Sequence, residues 1–301
     1  MDIGILMGVM TLSSVLARPW ISRMVDGIGR KKSYFIGTVA NMFIPLIHIL
    51  FEGEISSFYI PLVAVRIVHG MCIGLCFTAS VTYVSDIVPK DRLNEGLGMF
   101  GVTALVAMAV GPSIAEPIIQ NFGFNAFFIT ISTLGAGAVI LQFFIPETFV
   151  ATSSTEKPIT FFQVLKRKKV LAVAIIALFF GAGLATQGSF VSPYVEFLGL
   201  PKISVFFIAY STAAVITRIL GSRIADRVGE ENILPWSFVV NAIGYLTLIL
   251  ITNSWQLAVA GFITGCGHGM IFPSLNALAV RDEPIEIRGK ITGTFTGAMD
   301  G

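Results

Sequence analysis

Apolar residues run through this chain in long stretches, and polar residues gather in short breaks between them. Ten such stretches stand out, each of about 18–28 residues, at 3–21, 33–51, 58–84, 96–120, 124–145, 170–192, 204–221, 233–252, 256–280 and from about 290 onward. As helices, stretches of this length cross a hydrocarbon core of about 30 Å. None ends in the small-residue cleavage site of a removable signal peptide. The pattern predicts an all-α integral membrane protein, multi-pass and placed in the plasma (inner) membrane.

Composition points the same way. Of 301 residues, 54% are hydrophobic and 13% charged, and mean hydropathy is +0.82, outside the range of soluble domains. A net charge of +2 points to no partner, and no nucleic acid is expected. The placement of charge says more. Basic residues fill alternate loops: Arg23 with Arg30 to Lys32, Lys90 with Arg92, Lys157 with Lys166 to Lys169, Arg223 with Arg227, and Arg281 with Arg288 and Lys290. The positive-inside rule makes these loops cytoplasmic and puts residue 1 outside. Cys72, Cys76 and Cys266 lie inside apolar stretches and imply no disulfide framework. His69, Cys72 and Cys76 share a helical face, but they read as packing residues of a helix interface, and no metal site is expected.

The chain also repeats itself after about 200 residues. Arg18-Pro-Trp-Ile-Ser-Arg-Met-Val-Asp26-Gly-Ile-Gly29 is echoed by Arg218-Ile-Leu-Gly-Ser-Arg-Ile-Ala-Asp226-Arg-Val-Gly229, and His69-Gly70-Met71 by His268-Gly269-Met270. More loosely, Asp86-Ile-Val-Pro89-Lys-Asp-Arg92 is echoed by Asp282-Glu-Pro284-Ile-Glu-Ile-Arg288. Like-oriented repeats in a polytopic chain imply two pseudo-symmetric helical bundles with a working site between them. The halves divide as 1–148 and 170–301, joined by a cytoplasmic linker at 149–169. Apolar residues 159–165 backed by the basic cluster 166–169 suit a short helix on the anionic inner leaflet. Aligning the copies leaves one helix unmatched in front and the last incomplete. The expectation is therefore about ten of twelve transmembrane helices, with the chain cut at both ends.

These residues resemble the major facilitator superfamily, over essentially the whole chain. The loop at 22–32 is similar to the family's Gly-x-Leu-Ala-Asp-Arg-x-Gly-Arg-Lys signature, with Asp26, Gly29, Arg30 and Lys31 in register. It departs at Ser22, Met24 and Gly27. The second copy keeps Gly221, Ala225, Asp226, Arg227 and Gly229 but carries Glu230 and Glu231 where the first is basic. Arg66-Ile-Val-His-Gly70 resembles the Arg-x-x-Gln-Gly pattern of the fourth helix, with His69 for Gln. Gly111-Pro112-Ser-Ile-Ala115 and Pro146-Glu147-Thr148 resemble motifs of the twelve-helix drug:proton antiporter branch. The resemblance implies transport by alternating access, and it implies that Asp26 faces the helix beginning near Gly289 while Asp226 faces the one beginning near Gly96.

Physical reasoning assigns candidate roles. Gly29 and Gly229 allow tight turns, and a carboxylate at such a turn suits the exposed amides of a helix N-terminus. Asp26, Arg30, Asp86, Arg92, Asp226 and Arg227 form a candidate conformational gate, with Arg30 facing Asp86. Gly70, Gly111, Pro112 and Gly221 complete the motif positions. Ionisable groups at membrane depth are costly and so point to function. Arg66 and His69 share a face, Asp300 lies near mid-depth as the candidate proton carrier, Glu116 is the reserve, and Gln187 is placed to line a cavity. The expected function is a secondary transporter, a proton-coupled exporter of small organic compounds. An importer or facilitator of a sugar or organic acid is the alternative, and a transport-dead sensor a third reading. Substrate, protons and the bilayer are the expected partners, the chain acting as a monomer. No nucleotide loop, metal cluster or nucleophile–base pair suggests an enzyme, and no cofactor is expected beyond the proton gradient.

Overall fold

A computed structural model describes residues 2–51, 53, 55–149, 159–200 and 204–300, although some side chains within helices, those of Pro112 and Glu116 among them, fall outside the description. The described residues form helices: α1 Asp2–Leu16, α2 Arg18–Ile28, α3 Arg30–His48, α4 Ile55–Ile87, α5 Leu93–Gln142, α6 Phe161–Leu165, α7 Lys168–Phe197, α8 Ser204–Val228, α9 Glu230–Leu248, α10 Ser254–Val280 and α11 Arg288–Asp300. The expected run 3–21 is divided at Ala17, because Pro19 has no amide hydrogen to give to the preceding turn. Conversely, α5 carries two of the expected runs, parted only at Gly123, where φ is +80°.

Among the described residues, five helical segments are long and apolar enough to cross a membrane: Ser57–Ile87, Pro117–Gln142, Lys168–Phe197, Ser204–Val228 and Ser254–Val280. Several other expected spans fall short for visible reasons. The break at Ala17 shortens α1, α3 and α9 open on the charged turns that follow Gly29 and Gly229, and α11 has 13 residues.

The chain divides into two compact units. The first comprises Met1–Ile87, Ile114–Leu178 and Glu283–Gly301. Its α1 and α2 pack on α4 around Ala17, Ile21, Val25, Leu75 and Ala79. The second comprises Val88–Ser113 and Phe179–Asp282. There α8 lies against α10 around Phe206, Tyr210, Ala214, Leu257 and Ala260. Gly261 lets the two helices approach closely, since a Cβ at that position would fall 2.5 Å from Phe206 O. Small residues at such interfaces let helix backbones approach closely.

Each unit holds one copy of the turn. Gly29 stands at φ +106° between α2 and α3, and Gly229 at φ +94° between α8 and α9. In both places the left-handed backbone favours glycine. Pro89 and Pro284 share nearly the same conformation, each opening a 3-10 turn ahead of α5 and α11.

Candidate functional site

Asp26 ends α2 and caps α11. Its Oδ1 accepts from the Gly289 amide at 2.9 Å, and its Oδ2 accepts from the Lys290 amide at 3.1 Å and the Lys290 ammonium at 2.8 Å. Asp226 does the same for α5, accepting from the amides of Asn94 and Glu95, both at 3.0 Å. A carboxylate there satisfies orphan amide donors and meets the positive end of the helix dipole. Burial pushes the Asp26 carboxyl above its ordinary range, while Lys290, Arg30 and the Gly289 amide pull it back only in part.

Arg30, fully buried, donates from Nε to Asp86 Oδ2 at 2.8 Å and lies 3.5 Å from Asp26. Arg288 reaches Asp86 as well, at 3.3 Å. In the second unit the signs are exchanged. Glu230 opens α9 as Arg30 opens α3, and its partner is Arg281, which also bonds Asp226 at 2.7 Å. The loose echo of Asp86 in Asp282 therefore needs correcting. Counted back from Pro89 and Pro284, the residue in the place of Asp86 is Arg281. Glu147 caps α3, accepting from the Arg30 amide at 2.9 Å.

Asp300 bonds Arg18. Arg18 is 2% exposed and also donates to Thr78, to the Gly74 carbonyl and to Ser14. This contact closes α11 onto α2 along a glycine edge, with Gly293 against Ser22 and Gly297 against Arg18. Sequence reasoning named Arg18 within the echoed segment without giving it a role, and no local pattern ties it to a residue so distant in the chain.

Arg66 sits on α4 with Met10 Sδ 3.9 Å from Nη1, and it lines a cavity of about 540 Å³ with His48, Phe51, Phe58, Phe122 and Phe128. His69 lies against His48, ring centroids 6.4 Å apart. Gln187 is buried and accepts from Tyr245 at 3.5 Å. Arg92 is exposed and bonds Glu95 at 2.8 Å, and Glu95 also takes a bond from Arg223 at 2.8 Å. These bonds hold the Glu95 carboxyl down at about 2. Arg227 is exposed beside them. Gly70 meets Met10 O of α1 and Gly221 meets Met270, while Gly111 is exposed with open space around it. The side chains of Glu116 and Pro112 lie outside the described residues.

Comparison with known proteins places this geometry. The Major Facilitator Superfamily profile matches residues 1–300. The chain is 24% identical to the uncharacterized MFS-type transporter YhhS of Escherichia coli K12 over 303 residues, covering 99% of this chain and 73% of that protein. It is 24% identical to the multidrug resistance protein MdtG of Salmonella choleraesuis, covering 96% and 72%. Among solved structures it is similar to the human organic anion transporter MFSD10 (TM-score 0.81, 14% identity, covering 99% and 74%). It is also similar to the Escherichia coli fucose:proton symporter FucP (TM-score 0.75, 12% identity, covering 100% and 81%). At these identities the structural matches speak to the fold.

Proposed function

The chain belongs to the Major Facilitator Superfamily of transporters, a two-bundle integral membrane fold, and from that premise we propose that it is a proton-coupled exporter of small organic compounds. The observation that carries this reading is the contact of Asp300 with Arg18 on the helix pair α2–α11. Protonating Asp300 removes the charge that pairs with the buried Arg18 guanidinium, which leaves that cation uncompensated and weakens the contact. Because the Asp26 cap lies on the same two helices, proton uptake loosens the whole α2–α11 seam. Asp226 on Asn94 and Glu95 forms the equivalent cap in the second unit. MdtG is named for multidrug resistance, which supports the direction of export.

Inside-out vesicles containing the full-length protein test this reading. A panel of labelled organic compounds should accumulate when a pH gradient is imposed and equilibrate when it is collapsed. Accumulation indifferent to the gradient contradicts proton coupling, and accumulation only in right-side-out vesicles contradicts export.

A further inference from the structure

Arg218 is the echo of Arg18 and is buried to the same degree, at 3% exposure, yet its surroundings differ. Arg18 has Ser14, Thr78, the Gly74 carbonyl and Asp300 as acceptors. Among the described residues Arg218 forms no ion pair; its Nε, like that of Arg18, has no hydrogen-bond partner. The repeat explains the difference position by position. The shift that carries Asp26 onto Asp226 carries Ser14 onto Ala214. The shift that carries His69 onto His268 carries Thr78 onto Ala277, and the one that carries Gly289 onto Asn94 carries Asp300 onto Leu105. Every side-chain acceptor of the first arginine is apolar in the second copy, while the arginine itself is kept.

Two further observations mark the place. The Arg218 guanidinium lies over the ring of Phe272, 5.4 Å from its centroid. One turn along α10, Asn276 is fully buried with neither amide atom bonded. On the other side α5 approaches closely, with Gly101 against Arg218 and Gly98 against Ser222. A buried cation without a counter-charge is among the most costly groups a fold carries, and buried polar groups without partners call for a missing one.

We propose that Arg218 is the docking point for the carboxylate of a small organic anion. The planar guanidinium matches a carboxylate edge to edge, Asn276 supplies a neighbouring polar contact, and Phe272 with Ala214, Ala277 and Leu105 receives an apolar or aromatic body. The segment Asn94–Gly101 covers the site, held down by Asp226, and the ligand enters when that segment leaves α8. This gives the exporter reading its substrate class and rests on that reading for its part in transport, whereas binding itself requires no gradient.

The test is equilibrium binding of radiolabelled benzoate to the purified full-length protein, with neutral benzamide as competitor. Benzoate should bind saturably, benzamide should fail to displace it, and Arg218→Gln should weaken binding more than tenfold, in line with loss of a charge-assisted pair. Leu105→Asp, which restores the carboxylate found in the first copy, should also abolish binding and raise the thermal midpoint. Absence of benzoate binding, displacement by benzamide, or unchanged affinity in Arg218→Gln overturns the proposal. Should Arg218→Gln fail to fold, unchanged affinity in Leu105→Asp overturns it instead. Since no pH gradient enters, the outcome is separate from that of the vesicle experiment.

Discussion

At single residues, the protein solves one problem twice with opposite charges. Arg30 meets Asp86 in the first unit and Glu230 meets Arg281 in the second, each pair joining the start of one helix to the end of another. Arg30 and Asp86 are both sealed from water, so removing Asp86 leaves the buried Arg30 only the more distant Asp26 as a charge partner and takes one from Arg288 as well. Asp86→Asn should therefore cost about 3–5 kcal/mol in thermal or denaturant unfolding. Glu95→Gln, whose partners Arg92 and Arg223 are largely exposed, should shift the midpoint barely measurably. Acid should separate the two groups as well. The raised Asp26 carboxyl costs stability at neutral pH; as pH falls through its folded value, protonation relieves that cost and discharges its pairing with Lys290 and Arg30. The depressed Glu95 carboxyl contributes stability above its ordinary value of 4.5 and loses it only as pH falls towards about 2. Stability measured by unfolding should therefore rise as pH falls through the folded value of Asp26, above the ordinary carboxylate range, while the Glu95 carboxyl still reads as ionised by NMR.

At the scale of elements, α11 approaches α2 through Gly289, Gly293 and Gly297, and the three differ in what an added methyl meets. At Gly289 it lands on the Asp26 carboxylate, whereas at Gly293 it meets Ser22 Oγ at 3.1 Å. Gly289→Ala should displace the cap and cost about 1–3 kcal/mol in thermal unfolding, and Gly293→Ala should cost less. Much of this layout is legible in the sequence. Apolar runs mark the helices, the echo locates the turns at Gly29 and Gly229, and the family resemblance points Asp26 at Gly289. Other features are not legible, for physical reasons. The division at Ala17 comes from a single missing amide at Pro19 inside an apolar run. The place of Arg281 is obscured by Asp282 beside it, and only the count from Pro284 corrects the register. Asp300 reads as a mid-depth carboxylate, but its partner Arg18 is joined to it by the fold alone, across nearly the whole chain.

For the whole molecule, the two copies are alike in their caps and unlike in their arginines. Arg18 is matched by a carboxylate within the chain, and Arg218 forms no ion pair among the described residues. The proposed mechanism assigns a proton on Asp300 to the first contact and an organic anion to the second. The most direct measurement compares wild type with Asp300→Asn in vesicles, recording both pH-driven accumulation and exchange of substrate down its own gradient. The variant should lose uphill accumulation and keep exchange, because the substitution removes the proposed proton carrier and leaves the proposed substrate site in place. Uphill accumulation at the wild-type rate in Asp300→Asn contradicts that mechanism.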